Sequence, residues 1–417
     1  MTRPVDPARP VRRRLVLGAP AAGALLALPA GAATIRRQAI TLEAPVPMAQ
    51  LQVVEGDLVG VSRAGELWRL DRDWRRLGTG LDPEAPIAAG FGRIAGRGRD
   101  GGLWVFESGR SLASRRPALA PAGGMLLLAF GIIAVAAGTA GSHHLVRLDP
   151  DGAGGWSEAA RGADEVLPDA RPVQFDPNGA DSDDNGHVAV LGGPDASRYQ
   201  HGVLGDEVEA TTLLYLERHS LRPLGRLALP VPYVFEDNRP RPVSWRGRRA
   251  LLTVRSGPLG GQLAIVAFAG PGRAALELAA LGEPIGTIRR WLAPAPGGGG
   301  LFAVHTPHIG GVLHRYRDAG DHLAAERLMD DVTNHVIGRH ELDISALSGD
   351  WLVLPTQDRR ALLGLAIAAD GSITAQFRAG LTSPSGIRGL HAWQRAGEPG
   401  VAILAEDGSV EWSPVAA

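Results

Sequence analysis

The sequence predicts an all-β protein, a β-propeller of eight four-stranded blades, from a repeat and from the absence of helical periodicity. An apolar strand, a turn rich in Gly, Asp or Ser, and a second strand ending on an aromatic or charged residue recur eight times. The second strands lie at residues 66–71, 102–107, 144–149, 213–218, 262–268, 312–317, 361–367 and 409–412. The last five begin roughly 48 to 50 residues apart, which is the length of one blade. Seven blades and a double β-sandwich are the alternatives.

The sequence also predicts where the innermost strand of each blade, strand A, begins. The first three A strands are expected near Met48, Ile87 and Met125, and the fourth and fifth at residues 171–175 and 241–245. The remaining three are expected to open near Ile285, Val336 and Ile387. Residues 35–42 have no hairpin of their own, so we predict that they form the outer strand of the last blade. Both chain ends would then share one blade, which removes the exposed sheet edges.

The composition fits one turn-rich domain over residues 33–417 and excludes several chemistries. The chain has 56 Gly and 31 Pro, and 45% of its residues are hydrophobic. It has no Lys, so Schiff-base and P-loop lysines are excluded. It has no Cys either, which excludes disulfides, thiolate nucleophiles and zinc–thiolate sites.

The N-terminus predicts export. Residues 12–14 are three arginines, a short apolar run follows over 19–28, and residues 30–32 read Ala-Gly-Ala. This order is typical of a cleaved secretory signal covering residues 1–32. The consecutive arginines resemble a twin-arginine signal, which implies export of a folded protein to the periplasm or the exterior. Cleavage removes five Arg and one Asp and takes the net charge from −1 to −5. We therefore expect no nucleic-acid partner. No stretch after Ala32 is long and apolar enough to cross a bilayer, so we also expect no membrane span in the mature chain.

One acidic loop predicts a calcium ion. Asp181, Asp183 and Asn185 alternate before Gly186, and alternating oxygen ligands with a glycine suit this hard cation. The loop leads directly into a strand, and in this it resembles the calcium loops of FG-GAP (integrin-type) propeller repeats. The resemblance implies Ca²⁺ with a structural role. An acidic turn held by its own hydrogen bonds is the alternative.

Arginines recur with the period of the blades. Arg239, Arg289, Arg339 and Arg388 are 50, 50 and 49 residues apart, so comparable positions around the central opening are expected. Guanidinium groups there would bind a carboxylate, a phosphate or an acidic partner loop. Ion pairing between blades is the alternative interpretation.

Histidines are predicted on the same face. His305, His308, His335 and His340 are the candidate transition-metal ligands. Such a site requires at least three of the six histidines of this face to converge, and the other two are His201 and His391. The insertion 193–212, which carries Tyr199 and His201, and the adjacent segment with Asp237 are predicted as the ligand-contact region, because long loops on rigid scaffolds often bind. The predicted function is an exported, non-catalytic propeller that binds a protein or a small anion. The alternative is a metal-dependent hydrolase or oxidoreductase.

Overall fold

The computed structural model describes residues 34–177, 179, 186–269, 275–298 and 300–415, and it confirms the propeller with eight blades. All eight hairpin strands singled out from the sequence are the third strand of a blade. The predicted signal sequence and the three predicted calcium ligands lie outside the described residues, so both stay predictions. No helix in the described part of the chain is long and apolar enough to cross a membrane.

The chain begins with two short strands, β1 (Thr34–Gln38) and β2 (Ile40–Thr41). The first three blades follow in order. Blade 1 contains β3 (Met48–Val54), β4 (Asp57–Ser62), β5 (Glu66–Leu70) and β6 (Trp74–Thr79). Blade 2 contains β7 (Ile87–Gly90), β8 (Arg93–Arg97), β9 (Leu103–Glu107) and β10 (Arg110–Ser114). Blade 3 contains β11 (Met125–Leu128), β12 (Gly131–Ala137), β13 (His143–Pro150) and β14 (Trp156–Glu165). These A strands begin at the predicted residues.

Blades 4 and 5 are joined into one nine-stranded sheet. Blade 4 contains β15 (Val173–Phe175), β16 (His187–Asp195), β17 (Glu209–Leu216) and β18 (Pro223–Ala228). The short strand β19 (Val234–Phe235) follows. Blade 5 contains β20 (Arg241–Trp245), β21 (Arg248–Gly257), β22 (Gly260–Phe268) and β23 (Leu276–Leu281). Strand β19 pairs with both β17 and β21, so it bridges the two blades. Two single 3₁₀ turns lie at Thr139–Gly141 and Gly202–Leu204.

The last three blades complete the ring. Blade 6 contains β24 (Leu292–Ala295), β25 (Leu301–His305), β26 (Val312–Asp318) and β27 (Leu323–Asp330). Blade 7 contains β28 (Ala346–Ser348), β29 (Trp351–Pro355), β30 (Ala361–Ile367) and β31 (Ile373–Gly380). Blade 8 contains β32 (Ile387–Arg395), β33 (Glu398–Ala405) and β34 (Val410–Pro414). The A strands of blades 6 and 7 begin later than predicted, because the connections 282–291 and 331–345 come before them.

The two N-terminal strands join two different blades where the ring closes. Strand β2 pairs with β34, so it is the outer strand of blade 8, as predicted. Strand β1 instead runs parallel to β31 as a fifth strand of blade 7. The buried Ala39 separates the two strands, and its N–H donates to the carbonyl of Gly380. The predicted single outer strand over 35–42 is therefore divided between two neighbouring blades.

The core lies between the blades, and a channel lies on the axis. Phe175, Tyr215 and Phe268 pack where blades 4 and 5 meet, with ring centroids 4.9 to 6.4 Å apart. Inner strands line a channel of about 790 Å³. The connections between blades and the turns between second and third strands all lie on one side of the ring. We call that side the loop face.

Candidate functional site

The predicted contact region 193–212 contains the loop 196–208, which we call the cover loop and which lies across the loop face and is packed into it. Val203 and Leu204 are buried in a cluster that includes Trp291 and Leu342. The carbonyl of Val203 accepts a hydrogen bond from the N–H of Gly338, at 2.9 Å. Blade 4 thus contributes a cover that reaches the connection between blades 6 and 7.

Tyr199 and His201 attach the same loop to its neighbours. The Tyr199 hydroxyl accepts a hydrogen bond from the N–H of Arg289, at 2.9 Å. Nδ1 of His201 lies 2.5 Å from the Glu236 carboxylate, which also accepts from the Ser256 hydroxyl. Glu236 is fully buried, and burial raises its pKa. Both loop residues therefore hold the loop in place.

The segment that contains Asp237 is internal. Residues 234–238 are all buried. The Asp237 carboxylate accepts hydrogen bonds from Arg241 at 2.7 Å and from the Thr253 hydroxyl at 3.2 Å. Asp237 is 1% exposed. Its carboxylate therefore stabilises the interior beneath the loop face and is not accessible to a partner.

Two of the four predicted metal-site histidines contact each other. Nε2 of His308 lies 2.7 Å from Nδ1 of His335, and Nε2 of His335 lies 2.8 Å from the carbonyl of Arg339. A carbonyl only accepts, so Nε2–H of His335 donates to it and Nδ1 of His335 accepts from His308. Burial lowers the pKa of His308 to about 3 and that of His335 to about 4. Both rings are neutral donors and acceptors around neutral pH.

The other two histidines lie in separate surroundings. His305 stacks on His314 with centroids 3.7 Å apart, and its Nε2 lies 2.6 Å from the Tyr316 hydroxyl. His340 binds Asp169 through Nδ1 at 3.0 Å, and this hydrogen bond raises the pKa of His340. The four predicted ligands therefore belong to three different contacts and not to one centre.

The first two periodic arginines contact acceptors on the loop face. Arg239 forms an ion pair with Asp343 in the channel wall. Arg289 donates from Nε to the carbonyl of Gln200 at 2.9 Å. The first contact corresponds to the inter-blade pairing given above as the alternative, and the second attaches the cover loop to blade 6.

The other two arginines pair with acids of neighbouring blades. Arg339 lies 3.9 Å from Glu406 and Arg388 lies 3.4 Å from Glu84, measured between nitrogen and carboxylate oxygen. The structure thus places all four predicted arginines near the loop face, and each has an acceptor within the protein.

Sequence reasoning did not select the apolar side chains of this face. Seven large hydrophobic residues are exposed in the described part of the chain, and five of them lie on loop-face segments of blades 4 to 7. They are Val231 (72% exposed), Leu259 (61%), Ile288 (55%), Ile309 (67%) and Ile337 (66%). We call this set the apolar arc. The signal was present in the sequence, because each residue lies in a polar or Gly/Pro-containing connection.

Hydrogen bonds between adjacent loops support the arc. The carbonyl of Leu259 accepts from the N–H of Gly286 at 3.1 Å, two residues before Ile288. The contact between His308 and His335 joins the loops that carry Ile309 and Ile337. The apolar side chains are therefore presented by loops that are attached to one another.

Comparisons with known proteins identify the fold. No protein-family model matches the chain, and no curated protein sequence matches it. BamB from Moraxella catarrhalis superimposes with a TM-score of 0.52 at 12% identity, over 90% of this chain and 95% of BamB. Sqt1 from Saccharomyces cerevisiae gives a TM-score of 0.55 at 10% identity, over 92% of this chain and 99% of Sqt1. At such identities the likeness shows the fold alone, and that fold is the β-propeller.

Proposed function

We propose that the protein is an exported, non-catalytic scaffold that binds a protein partner on the apolar arc. The arc is the observation that supports this proposal most strongly. Exposed apolar residues scattered singly need no explanation, but five of them on neighbouring loops of one face fit an interaction surface. The signal-like residues 1–32 support export of the chain.

The position of the arc fits protein binding. Its residues come from five successive loops of the loop face. The first is the connection between blades 4 and 5, at Val231, and the last is the connection between blades 6 and 7, at Ile337. A surface that spans several blades can reach the roughly 800 Å² per partner of a stable interface. Because the loops are bonded to each other, little ordering entropy is lost when a partner docks.

A small anion as the ligand has less support. Arg239, Arg339 and Arg388 each lie within ion-pair distance of a carboxylate. An anion would have to displace those acids, and the exposed apolar side chains would add nothing to its binding.

The test is site-specific photo-crosslinking in the native exported fraction. A photoreactive amino acid at position 309 or 337 should give a discrete crosslinked species. The control position is Phe91, which is 41% exposed in a turn on the opposite side of the ring. Ile309→Asp combined with Ile337→Asp should abolish co-purification of the crosslinked protein. Stability should change by no more than about 0.5 kcal/mol, because both side chains are on the surface.

Equal crosslinking from position 91, or co-purification that survives the double aspartate variant, would show that the arc is not the docking surface. A double variant that unfolds would not count as loss of binding, so thermal unfolding is measured in parallel.

A further inference from the structure

Three side chains from distant parts of the sequence form a compact group under the loop face. Asp169 lies in the connection between blades 3 and 4, Asp206 in the cover loop, and His340 in the connection between blades 6 and 7. One ligand-type atom from each lies within 4.8 Å of the others. Asp169 is 5% exposed, so the group is shielded from solvent on at least one side.

The close approach of the cover loop to His340 depends on Gly205. Its φ is +109°, and a Cβ there would lie 2.6 Å from Cε1 of the imidazole. Only glycine fits this conformation and this space. The adjacent Asp206 is thereby held beside His340, and its carboxylate accepts a hydrogen bond from the N–H of Val208 at 2.8 Å.

Two buried oxygens next to this group have no hydrogen-bond donor in the described part of the chain. Oε1 of Glu209, a residue that is 2% exposed, is one of them. The other is Oδ1 of Asn238, whose Nδ2 contacts both the Asp169 carboxylate, at 3.4 Å, and the His340 carbonyl, at 2.7 Å. A buried oxygen without a partner costs about 1–3 kcal/mol. Both atoms are types that bind metal ions.

Protein cations balance this acidity only in part, and Arg171 is one that acts on Asp169 and donates to the His340 carbonyl. Burial, together with the charges of four neighbouring acids, raises the pKa of Glu209 well above the ordinary value; these acids are Glu236, Asp169, Asp206 and Asp237. Arg241 is within ion-pair distance of Asp237 and Asp343. Within the described ranges, neither Asp206 nor Glu209 forms an ion pair with an arginine or a histidine.

We propose that Asp169, Asp206 and His340 bind a divalent transition-metal ion, whose charge the nearby buried carboxylate of Glu209 helps to neutralise. One imidazole with two carboxylates is a ligand set suited to Zn²⁺. The ion would join three connections across the face, those that enter blade 4, cover the channel and enter blade 7. This site is distinct from the predicted calcium loop, it shares only His340 with the histidine set predicted from the sequence, and it does not depend on the apolar arc.

Isothermal titration calorimetry with Zn²⁺ tests the proposal on the metal-stripped mature chain. We expect one Zn²⁺ per chain with a Kd of about 1 μM or tighter. Asp206→Asn and Glu209→Gln preserve shape and remove one charge each. Either change should weaken binding by roughly tenfold or more, which corresponds to about 1.4 kcal/mol per tenfold.

Two control variants separate this site from other histidines. His322→Gln removes an exposed histidine in a turn on the opposite side of the ring, and His308→Gln removes the contact with His335. Zinc binding should survive both. Failure of wild-type protein to bind zinc, or zinc binding that is undiminished in Asp206→Asn and Glu209→Gln, overturns the proposal. If one carboxylate variant does not fold, the other gives the answer.

Discussion

Acid should destabilise the loop face through the pair His308 and His335, and the effect can be isolated by mutation. In the folded protein the two rings share a hydrogen bond of 2.7 Å, and His335 donates its remaining N–H to a carbonyl. Trp291 packs against both rings, with centroids 6.0 and 5.1 Å away. A proton on either ring would be desolvated. A proton on Nδ1 of His335 would also place its N–H against the Nε2–H that His308 donates.

The magnitude follows from the pKa values. Burial is the main reason why the pKa of His308 falls from 6.5 to about 3, and the charges of His335 and His201 contribute to that shift. Burial lowers that of His335 from 6.5 to about 4, with His340 contributing. Below pH 6.5 the unfolded chain takes up protons that the folded chain does not. Stability is therefore complete above pH 6.5 and falls with pH, by about 1.4 kcal/mol per pH unit for each neutral ring.

Urea unfolding between pH 7 and about 4.5 measures this slope. Other buried histidines and the carboxylates add to the total, so the informative quantity is a difference between variants. His308→Gln should make the dependence of unfolding free energy on pH shallower by roughly 1.4 kcal/mol per unit. His322→Gln removes an exposed ring whose pKa is raised by Asp321, and it should leave the slope no shallower than in wild type. An unchanged slope in His308→Gln, or an NMR titration of His308 near pH 6.5, would refute the reasoning.

Two further predictions concern the ring and the signal. Gly65 has φ +74° and a Cβ there would lie 2.1 Å from the carbonyl oxygen of Leu81, whereas Gly56 has φ +90° with no atom within 4 Å. Gly65→Ala should cost roughly 1–3 kcal/mol more than Gly56→Ala in urea unfolding, and equal losses would exclude the clash. Replacement of Arg12 and Arg13 by Lys should leave the protein in the cytoplasm on fractionation; normal export would contradict a twin-arginine route.

The sequence predicted the repeated part of the fold well because its signals are local. Each hairpin has a turn and two alternating strands within about 20 residues, and the A strands at Met48, Ile87, Met125 and Ile387 begin where expected. The A strands of blades 6 and 7 were predicted too early. The apolar residues of the connections before them resemble strand starts.

The pairing of β1 with blade 7 could not be predicted, because it depends on a contact between residues far apart in the sequence. Thr34 pairs with Gln376, and Arg37 lies over the ring of Phe377 at 5.2 Å. A pattern of alternating side chains shows that a strand forms, but it does not show which of two neighbouring blade edges the strand joins.

The site was predictable in its location and not in its chemistry. Periodicity placed arginines and histidines on the correct side of the ring, and the length of the cover loop singled it out. Whether His308 meets His335 or a metal ion depends on where each loop turns, and no local signal determines that. Asp169 was not selected because a single acid in a connection resembles many others. Its role emerges only when Asp206 and His340 are placed beside it.

Buried polar groups as well as apolar side chains hold the loop face together, and this has a consequence for binding. Polar contacts in a low-dielectric setting are strong when complete and costly when a partner is missing. The cover loop carries both Asp206 and His201, and the connection to blade 7 carries both His340 and Ile337. A cation at Asp206 and His340 would therefore fix the connection that presents Ile337 of the apolar arc, so metal content and partner binding must be measured on the same preparation.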